Sequence, residues 1–123
     1  MANAVKQAFE LIKQANFSQI DSVYTINLPT EIVDNTKTII LITDVNTKPD
    51  VYGNNHFNAL DKEIEVHIFY GINIDYDPET FEVPLLQLFD DNGWQIDEIH
   101  QHTYDPDSGQ LSVAIYFNKQ DLI

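Results

Sequence analysis

Four histidines and twenty acidic residues are the groups with most chemistry to offer in this chain of 123. His100 and His102 stand two apart, and an extended strand would set both imidazoles on one face. Two imidazoles make half a tetrahedral metal site. A third ligand would have to come from His67 or from a carboxylate across the sheet, so the ordinary reading is polar residues on a strand face. Two acidic clusters, Asp75-Tyr76-Asp77 and Asp105-Pro106-Asp107, invite a calcium reading. An EF-hand loop opening at Asp75 needs glycine at its sixth place and glutamate at its twelfth, where Thr80 and Leu86 stand. One opening at Asp105 would end on Tyr116. Both clusters fail as calcium loops and read as turn and helix-cap residues. Ser18, Ser22, Ser108 and Ser112 lie in no nucleophile-elbow motif. Four glycines do not build a phosphate-cradling loop, and nothing singles out one carboxylate pair for glycoside hydrolysis. The expectation is a protein that is not an enzyme, with no catalytic residues, cofactor or resident metal.

The charge narrows the partners. Six basic residues against twenty acidic ones leave a formal net charge of −14. Neutralising phosphates takes Lys and Arg, so direct nucleic-acid binding is not expected, and an anionic membrane surface is disfavoured on the same ground. With no cysteine, disulfides and Cys-based metal sites are excluded. The opening MANAVKQAFELIKQ is too polar for a signal sequence, and the longest apolar run, Ile39–Ile42, is far too short to span a bilayer. A hydrophobic content of 43% is that of a folded chain, and the length suits one domain over residues 1–123.

The elements that must position these groups announce themselves by periodicity. Lys62–Gly71 alternates strictly, with Ile64, Val66, Ile68 and Tyr70 on one parity and Glu63, Glu65, His67 and Phe69 on the other. That is a strand with one buried and one wet face. Val5, Ala8, Phe9, Ile12 and Ala15 recur at helical spacing, with Asn3 available as a cap and Asn16 as a left-handed stop. Tyr24, Ile26 and Leu28 alternate over Ser22–Leu28 until Pro29 ends the strand. Thr38–Val45 carries the run Ile39–Ile42, which suggests a strand covered on both faces, by a helix and by another subunit. Asn46–Asp61 has no periodicity and is expected to be an extended loop or arm. Its apolar residues Val51, Tyr52, Phe57 and Leu60 are the candidate contacts to a neighbouring subunit.

Asp77-Pro78 opens a second helix whose stripe is Phe81, Leu85, Leu88 and Phe89 and whose stop is Gly93. Pro84 either kinks its first turn or marks its true start. Trp94–Tyr104 and Gln110–Asn118 flank the turn Asp105–Gly109. Leu111, Val113, Ile115 and Phe117 share one face of the last strand. In its partner Trp94 and Ile96 fall on one parity and Ile99 on the other, which predicts a β-bulge near Asp97–Glu98. The fold class expected is α+β, a mostly antiparallel sheet of about five strands packed by two helices in the order α-β-β-β-α-β-β.

The helix Val5–Ala15, the strand IEVHIFYG ending at Gly71, the helix segment FEVPLLQLFDDNGW and the closing hairpin together resemble the small tail-component proteins of long-tailed phages of Gram-positive bacteria. More broadly they resemble the phage tail terminator fold. The likeness spans nearly the whole chain and rests on apolar and turn patterns. It implies a structural role: a homohexameric ring that caps the finished tail tube, meets the major tail tube protein, and presents a surface to the head-completion or connector protein. The implied location is the head-proximal end of the tail in the virion, after assembly in the host cytoplasm. A ring with so acidic a chain would have a lumen that repels passing DNA. The alternatives are another neck or tail structural protein of the same virion, or an acidic DNA-mimic inhibitor.

Overall fold

The computed structural model describes residues 4–25, 36–53, 56–106 and 109–122, with the side chains of 50–52, 57, 58 and 122 left aside. The elements are α1 (Ala4–Ala15), β1 (Ser22–Thr25), β2 (Ile39–Gly53), β3 (His56–Phe69), α2 (Pro78–Asp91), β4 (Gln95–Ile99), β5 (Thr103–Tyr104) and β6 (Leu111–Leu122). One sheet runs in the order β1-β2-β3-β6-β4, with β5 also on β6. All its pairings are antiparallel except β1 with β2. The class is α+β, in the expected element order with one further short strand. No helix of the described residues is long and apolar enough to cross a membrane.

The core lies on one side of the sheet. Ile40 and Ile42 of β2, Ile64, Val66 and Ile68 of β3, and Val113, Ile115 and Phe117 of β6 are all buried under α1 and α2. In α1 the stripe is Val5, Ala8 and Ile12; Phe9 is half-buried and Ala15 is exposed. Asn16 ends that helix at φ 53°, the left-handed conformation that asparagine tolerates. The cap proposed at Asn3 and the strand end expected at Leu28-Pro29 lie outside the described residues. In α2, Phe81, Leu85 and Phe89 are buried. Asp77 caps the helix by accepting from the Glu79 N–H at 3.0 Å, and Pro78 opens it. Pro84 thus sits inside the helix and does not begin it; its missing N–H withholds one intrahelical bond from Thr80.

The far end of α2 closes by a Schellman arrangement. The Trp94 N–H donates to the Phe89 carbonyl at 3.0 Å and the Gly93 N–H to that of Asp90 at 3.4 Å, with Gly93 at φ 86°. The accompanying apolar contact is aromatic, Phe89 against Trp94 with centroids 5.6 Å apart. The expected bulge is present. Ile96 pairs with Phe117 and Glu98 with Tyr116, so Asp97 is the extra residue and Ile99 returns to the helix side opposite Ile115.

Gly71 is required by space, not by φ. A Cβ there would lie 2.5 Å from the Thr36 carbonyl oxygen and 2.9 Å from its carbon. Gly71→Ala must push two backbone segments apart, and a loss of about 1–3 kcal/mol is expected. Equilibrium urea unfolding would measure it; a neutral result would mean that the chain around Thr36 yields without cost.

The segment Asn46–Asp61, expected as an arm without secondary structure, is paired almost throughout. It is the distal part of the β2–β3 hairpin, in register from Asn46↔Glu63 to Gly53↔His56, after an irregularity at Val45. The physical reason is that β6 continues beside β3 as far as Ala59↔Leu122. A third strand supplies the ladder bonds and packing that local periodicity does not.

Candidate functional site

The hairpin leaves the helix-covered cluster near Asp44 and Ile64, although Ala59 farther out is still fully buried between β2 and β6. From Val45 to Gly53 the strand rise carries it roughly 30 Å. Asn46, Thr47, Lys48 and Pro49 are exposed. Its base is held by Lys62, whose Nζ donates to Asp121 Oδ2 at 2.9 Å, both side chains largely buried between β3 and β6. The Gln120 amide donates to Asp61 at 2.9 Å. The four expected contact residues are brought to this one projection. Tyr52 and Phe57 are cross-strand partners near its tip, Val51 adjoins Tyr52, and Leu60 lies opposite Pro49, half-buried. The side chains of Val51, Tyr52 and Phe57 lie outside the described residues.

A second feature is polar and buried, and periodicity did not reveal it. Glu82 belongs to the α2 face that packs on the sheet and is 7% exposed. The fully buried Tyr70 donates its hydroxyl to Glu82 Oε2. His102 Nε2 lies 2.7 Å from Oε2 and 3.0 Å from Oε1. Against a carboxylate, which only accepts, Nε2 must carry the proton. Burial, then the bond to Glu82 and its charge, push the Tyr70 hydroxyl far above the usual phenol range. The pairing of an imidazole with an orienting carboxylate is present. Among the described residues the His102 ring hydrogen-bonds to Glu82 alone. The cluster is therefore a clasp that ties α2 to the end of β3 and to the β4–β5 connection. The spacing of Glu82 from Phe81 and Leu85 held a hint, because a carboxylate beside the buried stripe needs a partner.

The strand face expected to carry two histidines together is broken between β4 and β5. His102 turns to α2, whereas the His100 ring rests on Tyr116 of the open sheet face at 4.9 Å. The four histidines do not converge, and no group of three or more possible metal ligands exists among the described residues.

That open face is acidic around an aromatic centre. Glu63 and Glu65 of β3 and Asp97 and Glu98 of β4 gather near Tyr116 of β6. Partial burial raises Tyr116 first, followed by the charges of Glu65, Glu98 and Glu63. The hydrogen bond with Asp97 is the leading cause that raises Glu63, with burial next. Stability therefore falls as pH rises from the ordinary carboxylate value through the raised one, because only the folded chain holds that proton there. Asp97→Asn should return Glu63 toward the ordinary range and raise stability at neutral pH by about a few tenths of a kcal/mol. Carboxyl-resolved NMR titration with thermal unfolding reads both; an unmoved Glu63 would refute the pairing. His67, stacked on Phe69 at 4.3 Å, moves down because burial outweighs Glu65. Below about pH 6.5 the unfolded chain takes that proton first, so acidification costs stability.

Leu41, on the same open face, is half-buried without a covering layer among the described residues, whereas Ile40 and Ile42 beside it are fully buried. A family described as "Protein of unknown function (DUF806)" matches residues 3–121, all but the ends of the chain. No curated protein matches it.

Proposed function

The chain belongs to the DUF806 family, proteins of unknown function, and from that footing we propose that it is a structural virion protein of the phage tail terminator kind. In this reading it closes the end of the tail tube as a ring and offers the opposite surface to the head. The observation that carries the proposal is the β2–β3 hairpin, which continues beyond the helix-covered zone and exposes Asn46–Pro49 on β2, while Ala59 and Lys62 of β3 stay buried beside β6. Such an extension suits a subunit that must reach its neighbour. The open acidic face suits a lumen, where carboxylates keep passing DNA from sticking. Its half-buried Leu41 is consistent with the strand cover expected from another subunit.

Light scattering over a wide concentration range, with negative-stain imaging, tests the ring directly. A species near six times the 14.1 kDa chain mass, seen as rings, is the expected result. If the chain stays monomeric, purified tail tubes are added, since a tube end can template the ring; absence of binding to tube ends refutes the proposal. A second reading, an acidic DNA mimic, draws on the carboxylates of Glu63, Glu65, Asp97 and Glu98 on one sheet face. Tight binding to a basic nuclease with no affinity for tubes would favour it.

A further inference from the structure

Six large hydrophobic residues are exposed among the described ones; three of them, Ile96, Ile99 and Tyr104, lie on the two short strands that pair with β6, and Val83 lies on α2. Ile96 and Ile99 lie on the last strand of the sheet, opposite Phe117 and Ile115 and so on its helix side. Tyr104, 73% exposed, lies opposite Leu111 on β5. Val83 follows Glu82, whose carboxylate grips His102 between those two strands. All five residues of β4 are exposed, and beyond β4 no further strand pairs among the described residues. An apolar corner on an unpaired sheet edge is a surface that proteins usually cover.

The charge of the chain limits what can cover it. The chain carries twenty acidic residues against six basic ones, and β4 itself carries Asp97 and Glu98, so a second acidic surface would be repelled. The hairpin is one stretch that escapes this repulsion, because it carries no net charge. Residues 46–60 hold one lysine, Lys48, and one acid, Asp50, and their sequence includes Val51, Tyr52, Phe57 and Leu60. In the strand order the hairpin strands β2 and β3 are separated from β4 by β6. The projecting element and the apolar corner are thus different patches of one chain. Two different patches that fit each other make a head-to-tail contact, which closes into a ring when the rotation permits; a patch fitting itself would stop at a dimer.

We propose that the β2–β3 hairpin of one copy docks on the Val83–Ile96–Ile99–Tyr104 corner of a second copy of this chain. The proposal rests on the ring-forming reading above and names the interface that ring would use.

The chain has no cysteine, so single introduced thiols report contacts without background. Thr47→Cys, on the exposed hairpin, and Ile99→Cys, at the corner, are prepared separately and mixed with a short bis-maleimide. The expected product is a mixed dimer absent from either variant alone, and a ladder ending at one closed species when both thiols are on one chain. Ile96→Asp with Ile99→Asp should weaken self-association roughly tenfold or more. Both positions are exposed, and thermal unfolding checks that the fold survives. Cross-linking of Ile99→Cys to itself would overturn the proposal, because it marks a self-matching contact. Rings that form without the mixed cross-link would overturn it too while leaving the ring reading intact. With neither rings nor cross-links the proposal also fails, and the ring reading then stands or falls on binding to tube ends.

Discussion

Phe89→Ala should cost about 3–5 kcal/mol, the range for removing a fully buried phenylalanine. The residue is not merely buried. Its ring stacks on Phe117 at 4.1 Å and meets Trp94 edge-on at 5.6 Å, so one truncation breaks two aromatic contacts. Its backbone carbonyl accepts the Trp94 N–H that closes α2, which couples the packing loss to the helix stop. A cavity forms where α2, β4 and β6 meet, and those elements are too constrained by their own ladders to collapse into it. The melting temperature should fall on the order of 10–20 °C. Differential scanning calorimetry measures it, with Leu88→Ala, on the half-buried side of the same helix, as the milder control. Equal losses at both positions would contradict the placement of Phe89 at the centre of the core. The proposed interface shares β4 with this junction, so weakened assembly by Phe89→Ala would also be expected as a consequence of a loosened β4.

Glu82→Ala is the second large effect, with an expected loss of about 2–3 kcal/mol. Removing the carboxylate strands the fully buried Tyr70 hydroxyl, and a buried polar group without a partner costs about 1–3 kcal/mol. The bond to His102 adds less, because that imidazole is 38% exposed and water can replace its partner. Two further variants separate the contributions. Glu82→Gln keeps an oxygen for Tyr70 but loses the charge facing His102, and about 1 kcal/mol should go. Tyr70→Phe removes the buried hydroxyl together with its need for a partner, so it should cost less than Glu82→Ala, again about 1 kcal/mol. Urea unfolding of the three variants, with His102→Ala added for a double-mutant cycle with Glu82, reads the coupling. If Glu82→Ala proves neutral, the clasp does not hold α2 to the β4–β5 connection, and the buried carboxylate has no structural account.

Much of the architecture was legible along the chain because burial on one face writes a period into sequence. The alternation of Ile64, Val66, Ile68 and Tyr70, the stripe Phe81-Leu85-Phe89 and the left-handed stops at Asn16 and Gly93 are local consequences of pleat, helical pitch and backbone sterics. Even the bulge at Asp97 could be read, since a parity switch between Ile96 and Ile99 has no other cheap solution. Local reading misplaced what depends on neighbours distant in sequence. Asn46–Asp61 has no period of its own, yet β6, some sixty residues later, lies beside β3 as far as Ala59 and extends the ladder through it. Likewise His100 and His102 look like one strand face until the chain breaks between β4 and β5 and sends them to opposite sides of the sheet. Composition and periodicity by themselves determined an acidic α+β domain, its two amphipathic helices and the parity of its strands, because each follows from solvent and backbone acting within a few residues. Tertiary structure alone decided that the aperiodic segment is a paired hairpin, that Glu82 is buried between Tyr70 and His102, and that Ile96, Ile99 and Tyr104 stay exposed on the strands beside β6. Those outcomes are set by which distant strands pair, and pairing is chosen by the energy of the whole sheet rather than by any one stretch of it.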